Sequence, residues 1–388
     1  MRFLVISRIL LLNAAGVALF LLFIESSSHI VLTLRDGGKF SSLVLVERLK
    51  RVLSGSEKGI CGDPGSCEKL EKVMQGKGTK TYLHYLFDPS FHPVGEKFWF
   101  GHPVDSTIVS CREDNGLVAF STNSLGFRQV FNQDVSAEFQ VVLLGDSFAE
   151  GACVQDGHTL ADRLAKYLNV NILGLGRGGT GPLFQLALLK EVLSSNSLSA
   201  KIGPDTMVLW LLFSGNDLWN LKDEKLVLSR YAPGALGSHG YFEDLSAITL
   251  RQESFLDGMR DIYWKHGVPA AGSAPGYGRL GGPLSHIGEV QKELREFGRV
   301  FIDFNQLVRS AGATPVVIML SDHPHFHKPF MRALESEFQT QCRKQKVKCL
   351  EVSLSGMKKY LAVNGTGHLN SDGYQVLARE IQSFLVKK

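Results

Sequence analysis

A serine stands where an apolar run stops: Val141-Val142-Leu143-Leu144 gives way to Gly145-Asp146-Ser147. A run of four apolar residues predicts a fully buried strand, and residues just past the carboxyl end of such a strand face the crevice where open α/β sheets bind ligands. A hydroxyl in that place acts as a nucleophile when a neighbouring base takes its proton. The tripeptide is also ordinary turn composition, because Gly, Asp and Ser each favour turns. What decides between the two readings is whether the rest of the chain brings a base and anion-stabilising donors to the same edge.

Three further loops carry such groups. The segment Gly174-Leu175-Gly176-Arg177-Gly178-Gly179-Thr180-Gly181-Pro182 follows a predicted strand and precedes a predicted helix. Its glycines allow close approach and positive φ, so an exposed amide can point at a developing oxyanion. Gly174, Gly176 and Gly179 also satisfy G-x-G-x-x-G, but a dinucleotide site wants an acidic residue at the end of the next strand. Here that strand ends in Phe213-Ser214, and Glu191 falls inside a helix. Gly276, Gly278 and Gly281 repeat the pattern in a loop with no strand before it. The third loop is Phe213-Ser214-Gly215-Asn216-Asp217, where a neutral amide can donate to an anionic oxygen or, alternatively, Asn and Asp can cap a helix near Leu218. The fourth is His368-Leu369-Asn370-Ser371-Asp372-Gly373-Tyr374, in which Asn370 reads as the cap of the last helix and His368 lies in the loop before it.

Together, in this order and each after a strand or before a helix, the four segments resemble the SGNH, or GDSL-type, hydrolase superfamily. The resemblance covers about Asn123 to the carboxyl terminus. It includes Asn123-Ser124-Leu125-Gly126-Phe127-Arg128, which is similar to a lead-in of membrane-anchored or exported members. It implies a three-layer α/β/α sandwich with a mostly parallel sheet, Ser147 as nucleophile and His368 as its base. It implies an oxyanion hole from the amides of Ser147 and Gly179 and the side chain of Asn216, with no metal and no organic cofactor. The sequence departs from the family in one respect. Members carry an aspartate two or three residues before the histidine, and here Thr366 and Gly365 stand there. Removing that carboxylate from a serine protease lowers turnover on the order of ten-thousandfold, so another acceptor, Asn364 or a backbone carbonyl, would have to orient His368. Asp372 is placed to complement the dipole of the last helix instead.

The elements that must hold these loops follow from pattern. Strands are expected at Phe139–Leu144, Val170–Leu175, Thr206–Phe213, Pro315–Leu320 and Val347–Val352. Helices are expected at Thr159–Leu168, Leu183–Ser194, Ile287–Ala311, Phe330–Lys344 and Ser371–Leu385. Such alternation predicts a parallel sheet covered by helices on both faces. Gly267 to Pro283 is rich in glycine and proline and reads as a long insertion that acts as a lid. Residues 26–130 read as an irregular cover, with one helix at Leu43–Leu53, ahead of a hydrolase-type domain over 131–388. Within the cover, Phe98-Trp99-Phe100 packs onto the core or lines a groove. His323, His325 and His327 alternate near the same sheet edge. Their types suit a metal, although the prolines around them favour substrate contact or a plain loop.

Composition and the chain ends bound the function. With 388 residues, 44% hydrophobic content and a formal charge of +4 spread without a basic block, the chain builds a sizeable core and offers no nucleic-acid surface. Residues 1–25 are expected to form a transmembrane signal anchor. Arg2 and Arg8 precede the apolar stretch and Glu25 follows it, which places the amino terminus in the cytoplasm and exports the body. A buried helix of a cytosolic protein is the alternative. The pairs Cys61/Cys67 and Cys342/Cys349 are spaced for small disulfide loops, Cys111 and Cys153 have no local partner, and reduced buried thiols remain open. The expectation is an anchored ester hydrolase acting on an acyl or acetyl ester, on lipid or envelope carbohydrate. O-acyl transfer and a lapsed binding module on the same fold are the alternatives.

Overall fold

The expected alternation of strands and helices begins at residue 141, and a small sheet stands in front of it. In this computed structural model the described residues are 81–83, 99–113, 116–228, 240–253, 287–324, 329–362 and 367–387. The apolar stretch of residues 3–24, the expected helix at Leu43–Leu53, Cys61 and Cys67, the Gly/Pro-rich insertion, and His325 and His327 lie outside them. No helix among the described residues is long and apolar enough to cross a membrane.

The small sheet has the order β1-β2-β3, formed by Thr81–Leu83, Thr107–Glu113 and Gly116–Ser121. This corrects the expectation of an irregular region before residue 130. Strand β2 pairs antiparallel with β3 across a register shift between Val109 and Arg112, and that irregularity interrupts the period-two pattern by which a hairpin is read from sequence. Trp99, Phe100 and Phe127 are buried in the same apolar cluster as the large sheet, so Trp99 and Phe100 pack onto the core.

The large sheet comprises β4 (Val141–Gly145), β5 (Ile172–Gly176), β6 (Met207–Phe213), β7 (Thr314–Ser321) and β8 (Lys348–Ser353), all parallel, in the order β5-β4-β6-β7-β8. Side chains alternate between its faces. Val142, Leu144, Val208, Trp210, Leu212, Val317 and Met319 enter one apolar cluster, while Val141, Leu143, Leu209, Leu211, Phe213, Val316, Ile318 and Leu320 enter the other. The first cluster is completed by α3 (Pro182–Ser194), α6 (Ile287–Ser310) and α7 (Pro329–Gln345). The second is completed by α1 (Ser147–Glu150), α2 (Leu160–Leu168) and α8 (Ser371–Val386). The first cluster also takes in Leu198 of α4 (Asn196–Ser199) and Leu218 and Leu221 of α5 (Asp217–Leu228). The result is the expected three-layer α/β/α sandwich.

Element bounds follow local chemistry. Thr159 is the N-cap of α2 and not its first residue: its Oγ1 accepts from the Asp162 amide at 3.1 Å while Asp162 accepts from the Thr159 amide at 3.0 Å. Asn169 ends that helix in the left-handed region at φ 53°, and β5 therefore starts at Ile172. Asn370 caps α8 by accepting from the Gly373 amide at 2.9 Å. Cys342 and Cys349 form a disulfide between the end of α7 and β8. Cys153 is disulfide-bonded too, so none of these three positions carries a reduced thiol.

Candidate active site

The strand order reverses direction beside β4, which creates the crevice at the carboxyl edge where ligands bind in doubly wound sheets. Gly145 is aligned with Gly176 on one side and Leu211 on the other, so β4, β5 and β6 deliver their following loops to one edge. Ser147 is the first residue of α1, and Asp146 caps this single turn by accepting from the Phe148 amide at 2.9 Å.

Gly176 explains how the turn fits. A β-carbon there would lie 2.1 Å from the Glu150 amide nitrogen and 2.3 Å from the Ala149 carbonyl carbon. Only glycine lets β5 pass under the turn that carries Ser147. That accounts for one glycine of the G-x-G-x-x-G match without a dinucleotide.

His368 arrives from the other end of the chain. Its loop is fixed by the antiparallel bridge Leu361 to Leu369 and by the bonds Ala362 N to His368 O at 2.9 Å and Asn370 N to Tyr360 O at 2.8 Å. His323, fully buried at the end of β7, donates from Nε2 to the Gly367 carbonyl at 2.7 Å. That bond commits Nε2 to holding the loop, a use that the alternating histidines did not suggest. His368 Nε2 lies 2.9 Å from Ser147 Oγ, and its ring packs on Phe148 at a centroid distance of 5.5 Å. With the proton on Nδ1, Nε2 accepts from the serine hydroxyl, as a general base requires. Nδ1 lies 3.5 Å from the Cys153 sulfur. Thr366 and Asn364 lie outside the described residues.

Two of the three oxyanion donors expected from sequence are uncommitted, and the third is committed in part. Among the described residues no acceptor takes the amides of Ser147 or Gly179. Gly179 adopts φ 78°, the left-handed region that glycine enters without strain. The flanking amides are tied down, Gly178 to Glu150 Oε2 at 3.1 Å and Gly181 to Glu224 Oε1. Asn216 Nδ2 donates to Asp146 Oδ2 at 3.3 Å, which leaves its second hydrogen for a ligand. Asp217 opens α5 and accepts from the Phe213 amide at 2.7 Å, which ties the first residue of the helix back to the end of β6.

Burial governs the charges here. Asp146 is raised to about 6, first by burial and further by the Glu150 charge, against the bonds from Phe148 and Asn216 that lower it. Asp217 is raised well above the usual carboxylate range by burial and by the charges of Asp146 and Glu224. Glu224, which holds the amino end of α3 through the Gly181 and Leu183 amides, is pushed up to about 8 by burial.

Sequence reasoning did not find the polar network beneath the glycine loop. Glu150 Oε1 meets His102 Nε2 at 2.9 Å, Arg177 Nη1 lies 2.8 Å from the same nitrogen, and all three residues are buried. Glu150 thus joins the loop before β2, the serine turn and the glycine loop. Its partners are far apart in sequence, and the only signal was the presence of charged residues inside otherwise apolar or glycine-rich segments.

The parallel sheet with helices on both faces is the arrangement implied by the resemblance to the SGNH hydrolases. Comparison of the sequence with protein-family models gave no match, and comparison with curated proteins gave none. Among solved structures the chain is similar to a G-D-S-L family protein from Desulfitobacterium hafniense, at 11% identity and a TM-score of 0.35, covering 63% of this chain and 98% of that one. It is also similar to the psychrotrophic esterase EstA from Pseudoalteromonas sp., at 13% identity and a TM-score of 0.34, covering 64% of this chain and 98% of that one.

Proposed function

We propose that this protein is an SGNH-type serine ester hydrolase acting on acyl or acetyl esters. One observation carries the reading: the 2.9 Å contact between Ser147 Oγ and His368 Nε2, made at a sheet edge that also holds the amides of Ser147 and Gly179 and the second amide hydrogen of Asn216. Ser147 attacks the acyl carbonyl as His368 takes its proton. The amides of Ser147 and Gly179 and the Asn216 side chain receive the oxyanion, where donors fixed in advance cost no reorganisation during reaction. His368 then returns the proton to the departing alcohol, and a water deprotonated by His368 releases the acid from the acyl-enzyme.

The disulfides at Cys342/Cys349 and at Cys153 favour an oxidising compartment, in agreement with an exported body held by an amino-terminal anchor over residues 1–25. An anchor of that kind would keep the site close to lipid or envelope-carbohydrate esters.

The test is the soluble portion from about Ser26 onward, exposed to a fluorophosphonate and followed by intact mass beside Ser147→Ala and His368→Ala. One adduct, lost in both variants, is the expected result. Folded protein that takes no adduct, or one that labels equally in both variants, overturns the assignment.

A further inference from the structure

The amide of Gly179 sits at the centre of a turn. The Arg177 carbonyl accepts from the Thr180 amide at 3.3 Å and from the Thr180 hydroxyl at 2.7 Å, and φ is positive at Gly179 but not at Gly178, which is the pattern of a type II turn. The peptide between the two glycines therefore carries a hydrogen that the turn itself does not use. Where that hydrogen points is set by what holds the two ends. The first end is tied to the serine strand, with the Arg177 amide on the Gly145 carbonyl at 3.0 Å.

The second end is held by α5. Asn220 Nδ2 donates to the Thr180 carbonyl at 3.3 Å, while Glu224 accepts from the Gly181 amide with Oε1 and from the Leu183 amide with Oε2, the latter at 3.0 Å. Both residues are buried. A β-carbon at Gly181 would lie 2.6 Å from Asn220 Cβ and 3.0 Å from Glu224 Oε2, so glycine at this position is what lets the helix come so close. Asn216 belongs to the same row. The Asn220 amide donates to the Asn216 carbonyl at 2.8 Å, so helical spacing reaches back to Asn216, and residues 216, 220 and 224 follow one another at intervals of four along one face. One stripe of α5 thus bears one oxyanion donor and grips the loop that bears another.

We propose that Asn220 and Glu224 are positioning residues for the Gly179 amide: by fastening its turn to the helix that begins beside Asn216, they fix the separation of the two donors. The proposal rests on Ser147 and His368 being the reacting pair and on Gly179 and Asn216 receiving the oxyanion. Both side chains act through main-chain atoms of the glycine loop and the start of α3, not through the substrate. Loosening the turn therefore weakens the hold on developing negative charge, which depends on donors fixed in advance, and leaves the nucleophile and its base as they were.

The experiment measures the rate of Ser147 labelling by the fluorophosphonate above and by its counterpart with P=S in place of P=O, in wild type, Asn220→Ala, Glu224→Met, Asn216→Ala and Val308→Ala. In each reaction the Ser147 Oγ–P bond forms, the P–F bond breaks with loss of fluoride, and the hydroxyl proton passes to His368. Sulfur accepts hydrogen bonds poorly, so the P=S reagent gains little from the oxyanion donors, and the ratio of the two rates reports on those donors. Asn216→Ala removes a donor and calibrates the fall in the ratio. Val308→Ala trims a buried side chain near the carboxyl end of α6 and controls for lost stability. The expected result in Asn220→Ala and Glu224→Met is a P=O rate lower by roughly tenfold to a hundredfold, up to the about 10²–10³ for outright loss of a donor, with the P=S rate little changed. A merely structural role would lower both rates together and leave the ratio alone. The proposal is overturned if the ratio in Asn220→Ala is that of wild type, or if Glu224→Met slows both reagents equally; Asn220→Ala decides by itself if Glu224→Met does not fold. A ratio unmoved in Asn216→Ala overturns the oxyanion assignment instead, and wild type that takes no label overturns the Ser147–His368 reading, so the failures stay distinct.

Discussion

The side-chain amide of Asn216 donates to the carboxylate of Asp146 across 3.3 Å, so the residue that precedes the serine aims the residue that would receive the oxyanion. The same carboxylate caps the serine turn through the Phe148 amide. Its charge is therefore wanted for geometry but disfavoured by burial, and a pH dependence follows.

Asp146 is raised from 3.8 to about 6. Below pH 3.8 the folded and unfolded chains both hold the proton. Between 3.8 and about 6 the folded chain keeps a proton that the unfolded chain gives up, so the contribution to stability declines as pH rises, by about 3 kcal/mol over the window, and is level above it. Asp146→Asn removes this decline. Denaturant unfolding at intervals from pH 4 to 7 should show the difference between wild type and variant changing across that window, and a constant difference would sink the assignment. Activity moves the other way. Asn at 146 keeps an acceptor for Phe148, but no charge remains to hold the Asn216 amide, and the expected loss in kcat is roughly tenfold to a thousandfold, up to that for removal of an oxyanion donor.

The Gly176 prediction is steric. Alanine at this position puts its β-carbon against main-chain atoms of Ala149 and Glu150, which cannot swing aside as a side chain can. The serine turn has to shift, and a displacement of about 1 Å is enough to cost on the order of a hundredfold in rate. Gly176→Ala should lose about 1–3 kcal/mol of stability and most of its fluorophosphonate reactivity. Gly203→Ala, where a β-carbon meets nothing within 4 Å, should behave as wild type and serves as the control. A fully reactive Gly176→Ala protein would show that the turn has more room than these distances allow.

The large sheet was legible because its strands carry uninterrupted apolar runs and its helices carry caps. The loops at its edge were legible because Ser147, Gly179, Asn216 and His368 each stand beside a strand end or a helix cap. The small sheet was not, since a shifted register between Val109 and Arg112 hides the alternation of β2. Contacts between residues distant in the chain leave no local pattern at all. Cys153 had no partner to be found by spacing, yet it lies beside a histidine 215 positions later. His323 was read as a substrate contact or a plain loop residue, ahead of a metal ligand, and its burial and its bond to Gly367 decide its use. Nothing in the sequence around Glu150 signals its partners, and only the fold shows it meeting His102 and the Gly178 amide.

That last cluster allows a sharp comparison of two substitutions. Glu150 has both oxygens engaged, Oε1 with His102 and, at 3.8 Å, with the Arg177 guanidinium, and Oε2 with the Gly178 amide. Glu150→Ala leaves the buried Arg177 without its carboxylate, and removal of one partner of a buried ion pair costs about 3–5 kcal/mol. Glu150→Gln is nearly isosteric and retains one carbonyl oxygen. If that oxygen turns to Gly178, the glycine loop keeps its shape while the His102 and Arg177 side is weakened. The two variants therefore separate stability from positioning. Glu150→Gln should unfold at lower denaturant than wild type but label at Ser147 within a few-fold of its rate, whereas Glu150→Ala should lose both. The measurement is an unfolding midpoint paired with a phosphonylation rate for each variant. If Glu150→Gln instead retains its midpoint and loses its labelling, then the charge of Glu150 acts on the reacting groups directly, and the Gly178 amide is not what it serves.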